Sequence, residues 1–292
     1  MPNLGPFTVK RVGFGAMQLA GPGVFGPPRD PASARAVLRR AVELGVDHLD
    51  TSQYYGPDVV NDLIREALHP YPEELRIATK VGARRDDAGA WLPAQRPDEL
   101  RAGVEDNLRS LRVERLDLVN LRLLDDDHAP PVALGEQLAA LADLRAEGKI
   151  ALIGLSNATR AIVEEALDLV DVACVQNSYS IIERAEEDVL ALCAERGLAF
   201  VPFFPLGSAF TGGPAKLAAD PAVRRVAAKH GATPSQVALA WLLHRDEHIL
   251  LIPGTSSIGH LEENVAAADL ALDGDDLEAL DTAATPSHLP MR

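Results

Sequence analysis

The sequence predicts an α/β fold, a single (β/α)8 TIM barrel over residues 1–292 with extra helices near the C-terminus. Three observations predict it. Eight short runs of β-branched and apolar residues alternate with segments whose apolar residues recur about every 3.6 positions. Reactive polar residues stand where those runs stop: Asp50 after GVDHL, Lys80 after LRIAT, Arg122 after LDLVNL, Ser156 and Asn157 after IALIGL, Gln176 after DVACV, and Thr255 and Ser256 after ILLIPG. In a closed parallel sheet these residues gather on one rim, where such a fold does its chemistry. Finally, no composition break, Gly/Ser linker or charge run divides the chain.

In chain order the strands are expected at Arg11–Gly15, Val46–Asp50, Arg76–Lys80, Leu116–Leu121, Ile150–Leu155, Val172–Gln176, Ala199–Phe203 and Ile249–Pro253. Between them lie amphipathic helices, read from Val37, Leu38, Ala41 and Val42; Leu100, Val104, Leu108 and Leu111; Leu134, Leu138 and Leu141; and Ile162, Val163, Ala166, Leu167 and Val170. Gly45, Gly148 and Gly197 fit left-handed caps that end helices just before the next strand. An open dinucleotide-binding sheet would show G-x-G-x-x-G after its first strand. Here Gly13-Phe14-Gly15 is followed by Ala16-Met17-Gln18, without the third glycine. Two stretches exceed ordinary loops, Ala20–Pro31 and Ser208–Asp220, and long rim loops are candidates for substrate cover.

Composition narrows the function. Hydrophobic residues make up 47% of the chain and aromatic residues only 4%, which suits a core of Val, Ile, Leu and Ala. The 43 acidic against 28 basic residues give a formal charge of −15, which argues against nucleic acid or an anionic membrane as partner. The two cysteines, Cys174 and Cys193, fall on apolar faces and suggest no disulfide framework, so a reducing cytoplasm is expected. No stretch reads as an export signal or a membrane span. His48 and Asp50 share a strand face, yet no further ligand cluster joins them, and no metal is expected. Oligomeric state is left open.

Asp50, Tyr55 and Lys80 form a chemically coherent group. A lysine held against a carboxylate places positive charge beside a phenol and stabilises the phenolate, tuning it as a proton donor to a carbonyl oxygen. Taken singly, Asp50 also reads as a cap, Tyr55 as a loop aromatic and Lys80 as a surface charge. The stretch H-L-D-T-S-Q-Y-Y-G (His48–Gly56) followed by A-T-K-V-G (Ala78–Gly82) resembles the aldo-keto reductase family. The likeness continues through G-L-S-N (Gly154–Asn157), V-Q-N (Val175–Asn177), P-L-G (Pro205–Gly207) and the stretch from Ile252 to Asn264. It implies that Asp50, Tyr55 and Lys80 are three of four catalytic residues, with Tyr55 rather than Tyr54 the general acid. The fourth departs from the family pattern, Arg122 standing where most members have histidine. A guanidinium there is a permanently charged forked donor that can orient a carbonyl; its structural alternative is pairing with Asp125 to Asp127.

The same resemblance implies NADP(H) as cofactor, with NAD(H) second. A nicotinamide carboxamide offers one acceptor and two donor hydrogens, a set that Ser156, Asn157 and Gln176 satisfy, although turn capping also explains Ser156 and Asn157 and a solvated strand end explains Gln176. By the likeness, Phe203 stacks on the ring, Leu206 and Gly207 approach the pyrophosphate, and Glu263 and Asn264 bind adenine. Gly254, Thr255 and Ser256 precede a helix whose start suits the 2′-phosphate. Much of the family has lysine at Gly254 and arginine at His260, a further departure. Met17, Gln18, Phe25 and Trp91 are expected to line the substrate pocket, with Trp91 and Phe25 reading equally as packing anchors under loops. V-N-L-R with its flanking blocks is similar to a bacterial pyridoxal reductase (pyridoxine 4-dehydrogenase) subgroup, implying a small carbonyl substrate such as pyridoxal. Two alternatives are a Schiff-base aldolase using Lys80 and a nucleotide-sensing subunit that turns over slowly.

Overall fold

The structure is a computed structural model that describes residues 3–124, 132–208 and 212–282. Asp125 to Asp127 and positions 209–211 of the second long loop therefore lie outside the described residues. Ten strands are defined within the described residues: β1 Asn3–Leu4, β2 Phe7–Thr8, β3 Phe14–Gly15, β4 His48–Asp50, β5 Arg76–Arg85, β6 Trp91–Ala94, β7 Leu116–Arg122, β8 Ile150–Ser156, β9 Val172–Gln176 and β10 Ala199–Phe200. The helices are α1 Pro31–Glu43, α2 Val59–Leu68, α3 Pro97–Leu111, α4 Leu134–Ala146, α5 Arg160–Leu169, α6 Glu187–Arg196, α7 Gly213–Ala219, α8 Pro221–His230, α9 Pro234–Arg245, α10 Ile258–Ala266 and α11 Gly274–Asp281.

Parallel pairing runs β3-β4-β5-β7-β8-β9-β10. The expected eighth strand, Ile249–Pro253, closes the barrel by single bridges, Phe200 to Ile249 on one side and Val12 to Leu251 on the other. Its amides still bond across both seams, Leu250 N to Phe200 O at 2.9 Å and Leu251 N to Arg11 O at 2.8 Å. Regular ladder is short here because Pro202 and Pro253 lack an N–H to donate. The glycine caps stand as expected, with φ of 82° at Gly45, 79° at Gly148 and 66° at Gly197. The helical apolar stripes pack on the outside of the sheet in one core that includes Val37, Leu100, Leu141, Val163 and Val189.

Two features depart from the expected pattern. The β1–β2 hairpin lies against the N-terminal end of the barrel, where Leu4 and Val9 pack with Leu118, Cys174, Ala199 and Leu250. At the opposite end β5 continues past Lys80 to Arg85 and folds back through β6, pairing Gly82 with Ala94 and Arg85 with Trp91. Gly82, at φ 101°, permits this extension, since a Cβ there would collide with the Arg122 carbonyl. No helix among the described residues is long and apolar enough to cross a membrane. Cys174 and Cys193 are buried free thiols, and burial pushes the Cys193 thiol up to about 12.

Candidate active site

The strand ends bring the rim residues to common levels. In the ladder Arg122 stands opposite Ser156 and Ser156 opposite Gln176, while Lys80 stands one row lower opposite Asn120. Lys80 Nζ donates to Asp50 Oδ1 at 2.5 Å and to the Thr51 carbonyl at 3.0 Å, and Gln176 Nε2 donates to Asp50 Oδ2 at 2.8 Å. The Lys80 and Asp50 side chains are only 4% and 6% exposed, so this is a desolvated pair with each oxygen of the carboxylate bonded. Lys80 Nζ also lies 5.1 Å from the centre of the Tyr55 ring. Tyr54 packs edge-on against Tyr55, their centres 5.5 Å apart.

A cavity of about 500 Å³ opens beside this group. Asp50, Tyr55, Lys80, Arg122, Gln176 and Phe203 all stand on its wall, joined by the expected Met17, Gln18, Trp91, Leu206, Gly207 and Gly254. Phe25 is a correction. It is absent from the wall and lies beneath the Arg85 guanidinium, 5.3 Å from its ring centre, because the 20–31 loop turns its neighbour Val24 inward instead. Arg85 is not among the residues expected at the site. It donates to the carbonyls of Gly23, Val24 and Gly89 and covers the Trp91 ring at 4.1 Å, clamping the β5–β6 hairpin to the first long loop. The alternation Val81-Gly82-Ala83 followed by Asp86-Asp87-Ala88-Gly89 was the available hairpin signal.

The expected direction of tuning at Tyr55 also needs correcting. Burial raises its pKa above the ordinary tyrosine range, Asp50 raises it further, and only Arg122 acts to lower it. Lys80 is bonded directly to Asp50, so the lysine positive charge is largely offset there. Tyr55 is thus held as a neutral phenol, the form that donates a proton.

Of the remaining expected residues, Ser156 is fully buried and accepts from Arg122 Nη1 at 3.1 Å. Asn157 adopts φ 62° and spends its amide on the Leu123 carbonyl at 3.0 Å, so it braces the turn after β8 rather than facing the cavity. Thr255 Oγ1 accepts from Ser257 N, and Ser257 Oγ in turn caps α10 at His260 N. Ser256 lies on a second groove beside Gln18, Arg29 and Ser33. His260 is exposed, Glu263 half-buried and Asn264 buried on the first turns of α10. A nicotinamide nucleotide fits this donor set at its reactive end: Gln176 stands on the cavity wall, and its Oε1 is buried with no hydrogen-bond partner among the described residues, an acceptor for a carboxamide N–H.

The Aldo/keto reductase family model matches residues 11–285. The chain belongs to the aldo/keto reductase family. It is an oxidoreductase by that membership. It is 52% identical to a pyridoxine 4-dehydrogenase of Escherichia coli over 96% of both chains. It is 38% identical to an uncharacterized oxidoreductase of Schizosaccharomyces pombe, over 96% of this chain and 88% of that one. Among solved structures, an aldo/keto reductase from Klebsiella pneumoniae crystallised with NADP and acetate superposes with a TM-score of 0.79 at 25% identity, covering 97% of this chain and 94% of that one.

Proposed function

We propose that this aldo/keto reductase, acting as a single domain, reduces pyridoxal or a closely related aldehyde with NADPH, and that Tyr55 delivers the proton. The observation that carries the proposal is the arrangement of Asp50, Lys80, Tyr55 and Arg122 around one cavity. NADPH supplies hydride to the carbonyl carbon when bound. The chain handles the charge that develops on oxygen. Tyr55, kept neutral by burial, gives its proton to the nascent alkoxide. The Arg122 guanidinium places positive charge near the phenolate left behind, while Lys80, fixed by Asp50 and Thr51, stands beside the Tyr55 ring.

Ser156, Gln176, Phe203, Leu206 and Gly207 would hold the nicotinamide end, and Thr255, Ser256, His260, Glu263 and Asn264 the adenosine end. The pyridoxal assignment rests on the 52% identity to the Escherichia coli enzyme and on Arg122. Pyridoxal carries an acidic ring hydroxyl beside its aldehyde, which a guanidinium on the wall pairs with. A Schiff-base role for Lys80 is disfavoured by its geometry, since an ammonium bonded to Asp50 at 2.5 Å is not a free amine. The reducing cytoplasm is the compartment we assign, in keeping with its two free thiols.

In a steady-state assay with NADPH, pyridoxal should exceed benzaldehyde and short aliphatic aldehydes by at least about tenfold in kcat/KM, a difference of about 1.4 kcal/mol in transition-state binding. Equal values for all of them would remove the pyridoxal reading. The pH profile gives a separate check. Because the Tyr55 pKa is raised, its proton-donating form persists as pH climbs toward the ordinary tyrosine value near 10. Single-turnover reduction is expected to stay level up to about pH 9, and an alkaline fall centred near neutrality would assign the proton to another group.

A further inference from the structure

Arg122 occupies a place that the cofactor reading needs. Its Nη1 donates to Ser156 Oγ at 3.1 Å and its guanidinium lies 4.9 Å from the centre of the Phe203 ring. Ser156 and Gln176 are ladder neighbours, yet Gln176 stands on the cavity wall and Ser156 does not; Arg122 lies over that hydroxyl and is itself on the wall. Among the described residues the Arg122 guanidinium meets the Phe203 ring face and the Ser156 hydroxyl. Its backbone is fixed, being paired in β7 with Ser156 on one side and packed against Gly82 on the other. Any movement of Arg122 therefore belongs to its side chain.

We propose that Arg122 is a two-position residue: its guanidinium and the nicotinamide ring compete for Phe203 and Ser156, and seating the cofactor turns the guanidinium into the cavity to meet the substrate. The inference rests on the cofactor assignment made above. A flat aromatic ring needs the Phe203 face that the guanidinium now covers, and a carboxamide oxygen needs the Ser156 hydroxyl. Gln176 Oε1, already unpartnered, is the half of the carboxamide site that stands ready. Displaced from both contacts, the guanidinium remains tethered at the rim beside Tyr54 and Tyr55, whose pKa values it already acts to lower. Substitution of the family histidine by arginine thereby couples substrate orientation to cofactor occupancy, which a shorter imidazole with no reach to Phe203 would not do.

The test is a binding measurement. Arg122→Met removes the competitor while keeping apolar bulk, so NADPH should bind about tenfold more tightly, by titration calorimetry, than to the unaltered protein. The 2′,5′-ADP fragment, which has no nicotinamide, should bind both proteins with Kd values within about twofold. Arg122→Gln provides the same comparison if the methionine variant folds poorly, with folding followed by circular dichroism. An unchanged or weakened NADPH affinity in a folded variant overturns the inference, as does an equal shift for NADPH and the fragment, which would mark a general charge effect. Failure of the unaltered protein to bind NADPH at all is a different result, and overturns the cofactor assignment together with the inference built on it.

Discussion

Exchanging Tyr55 for phenylalanine is expected to lower kcat for carbonyl reduction by about 10²–10⁴, the usual worth of a positioned general acid. The substitution removes one hydroxyl and keeps the ring that packs edge-on against Tyr54, so the fold around it is retained. NADPH affinity should change by less than about threefold, because no part of the proposed nicotinamide site is touched. Tyr54 supplies the control. It lines the same cavity, is equally buried and has its pKa raised chiefly by burial, so composition of the site alone does not separate the two phenols. Position in the Y-Y-G stretch does, Tyr55 matching the family's general acid by resemblance, and Lys80 Nζ lies 5.1 Å from its ring while also acting to lower the Tyr54 pKa. Tyr54→Phe should therefore keep kcat within about tenfold. Stopped-flow kinetics on both variants would check this, and a Tyr55→Phe enzyme that keeps more than a tenth of the rate would remove Tyr55 from the proton step.

The rim was readable because a buried parallel strand announces its end. An apolar run gives way to a polar residue, and in a barrel every such end faces the same way. Asp50, Lys80, Arg122 and Gln176 each stand at such an end, and the cavity brings all four together. Features without a period were not readable. Strands of two residues, as in β1 and β2, carry no alternation. The Arg85 clamp joins residues about sixty positions apart, and no local pattern foretells which loop carbonyls a guanidinium will meet. Phe25 and Val24 are adjacent in sequence, and which of them faces the cavity depends on the positive φ values at Gly23, Val24 and Gly26, a loop geometry that hydrophobicity does not encode. The electrostatic sign at Tyr55 failed for a related reason. Charge partners were legible in the sequence, but the depth of burial that outweighs them was not.

Removing one member of the buried ion pair should have the largest effect on stability. Lys80→Met leaves the Asp50 carboxylate inside the barrel with the Gln176 amide as its remaining side-chain partner, at 2.8 Å. Stripping one partner from a desolvated pair typically costs about 3–5 kcal/mol, since the other charge stays buried and uncompensated. For a domain of this size that corresponds to a fall in Tm of roughly 6–10 °C, at about 2 °C per kcal/mol. The change is not one of volume, as methionine fills much of the space of the lysine stem. Asp50→Asn combined with Lys80→Met removes both charges, and its cost should be well below the sum of the single changes. Both Lys80→Met and the double variant should be catalytically poor, so lost activity with recovered stability separates the chemical role of the pair from its structural one. Calorimetric unfolding of the unaltered chain, the two single variants and the double variant reads this directly. If Lys80→Met melts within about 2 °C of the unaltered chain, the pair contributes little to stability and the expected cost of stripping it is wrong.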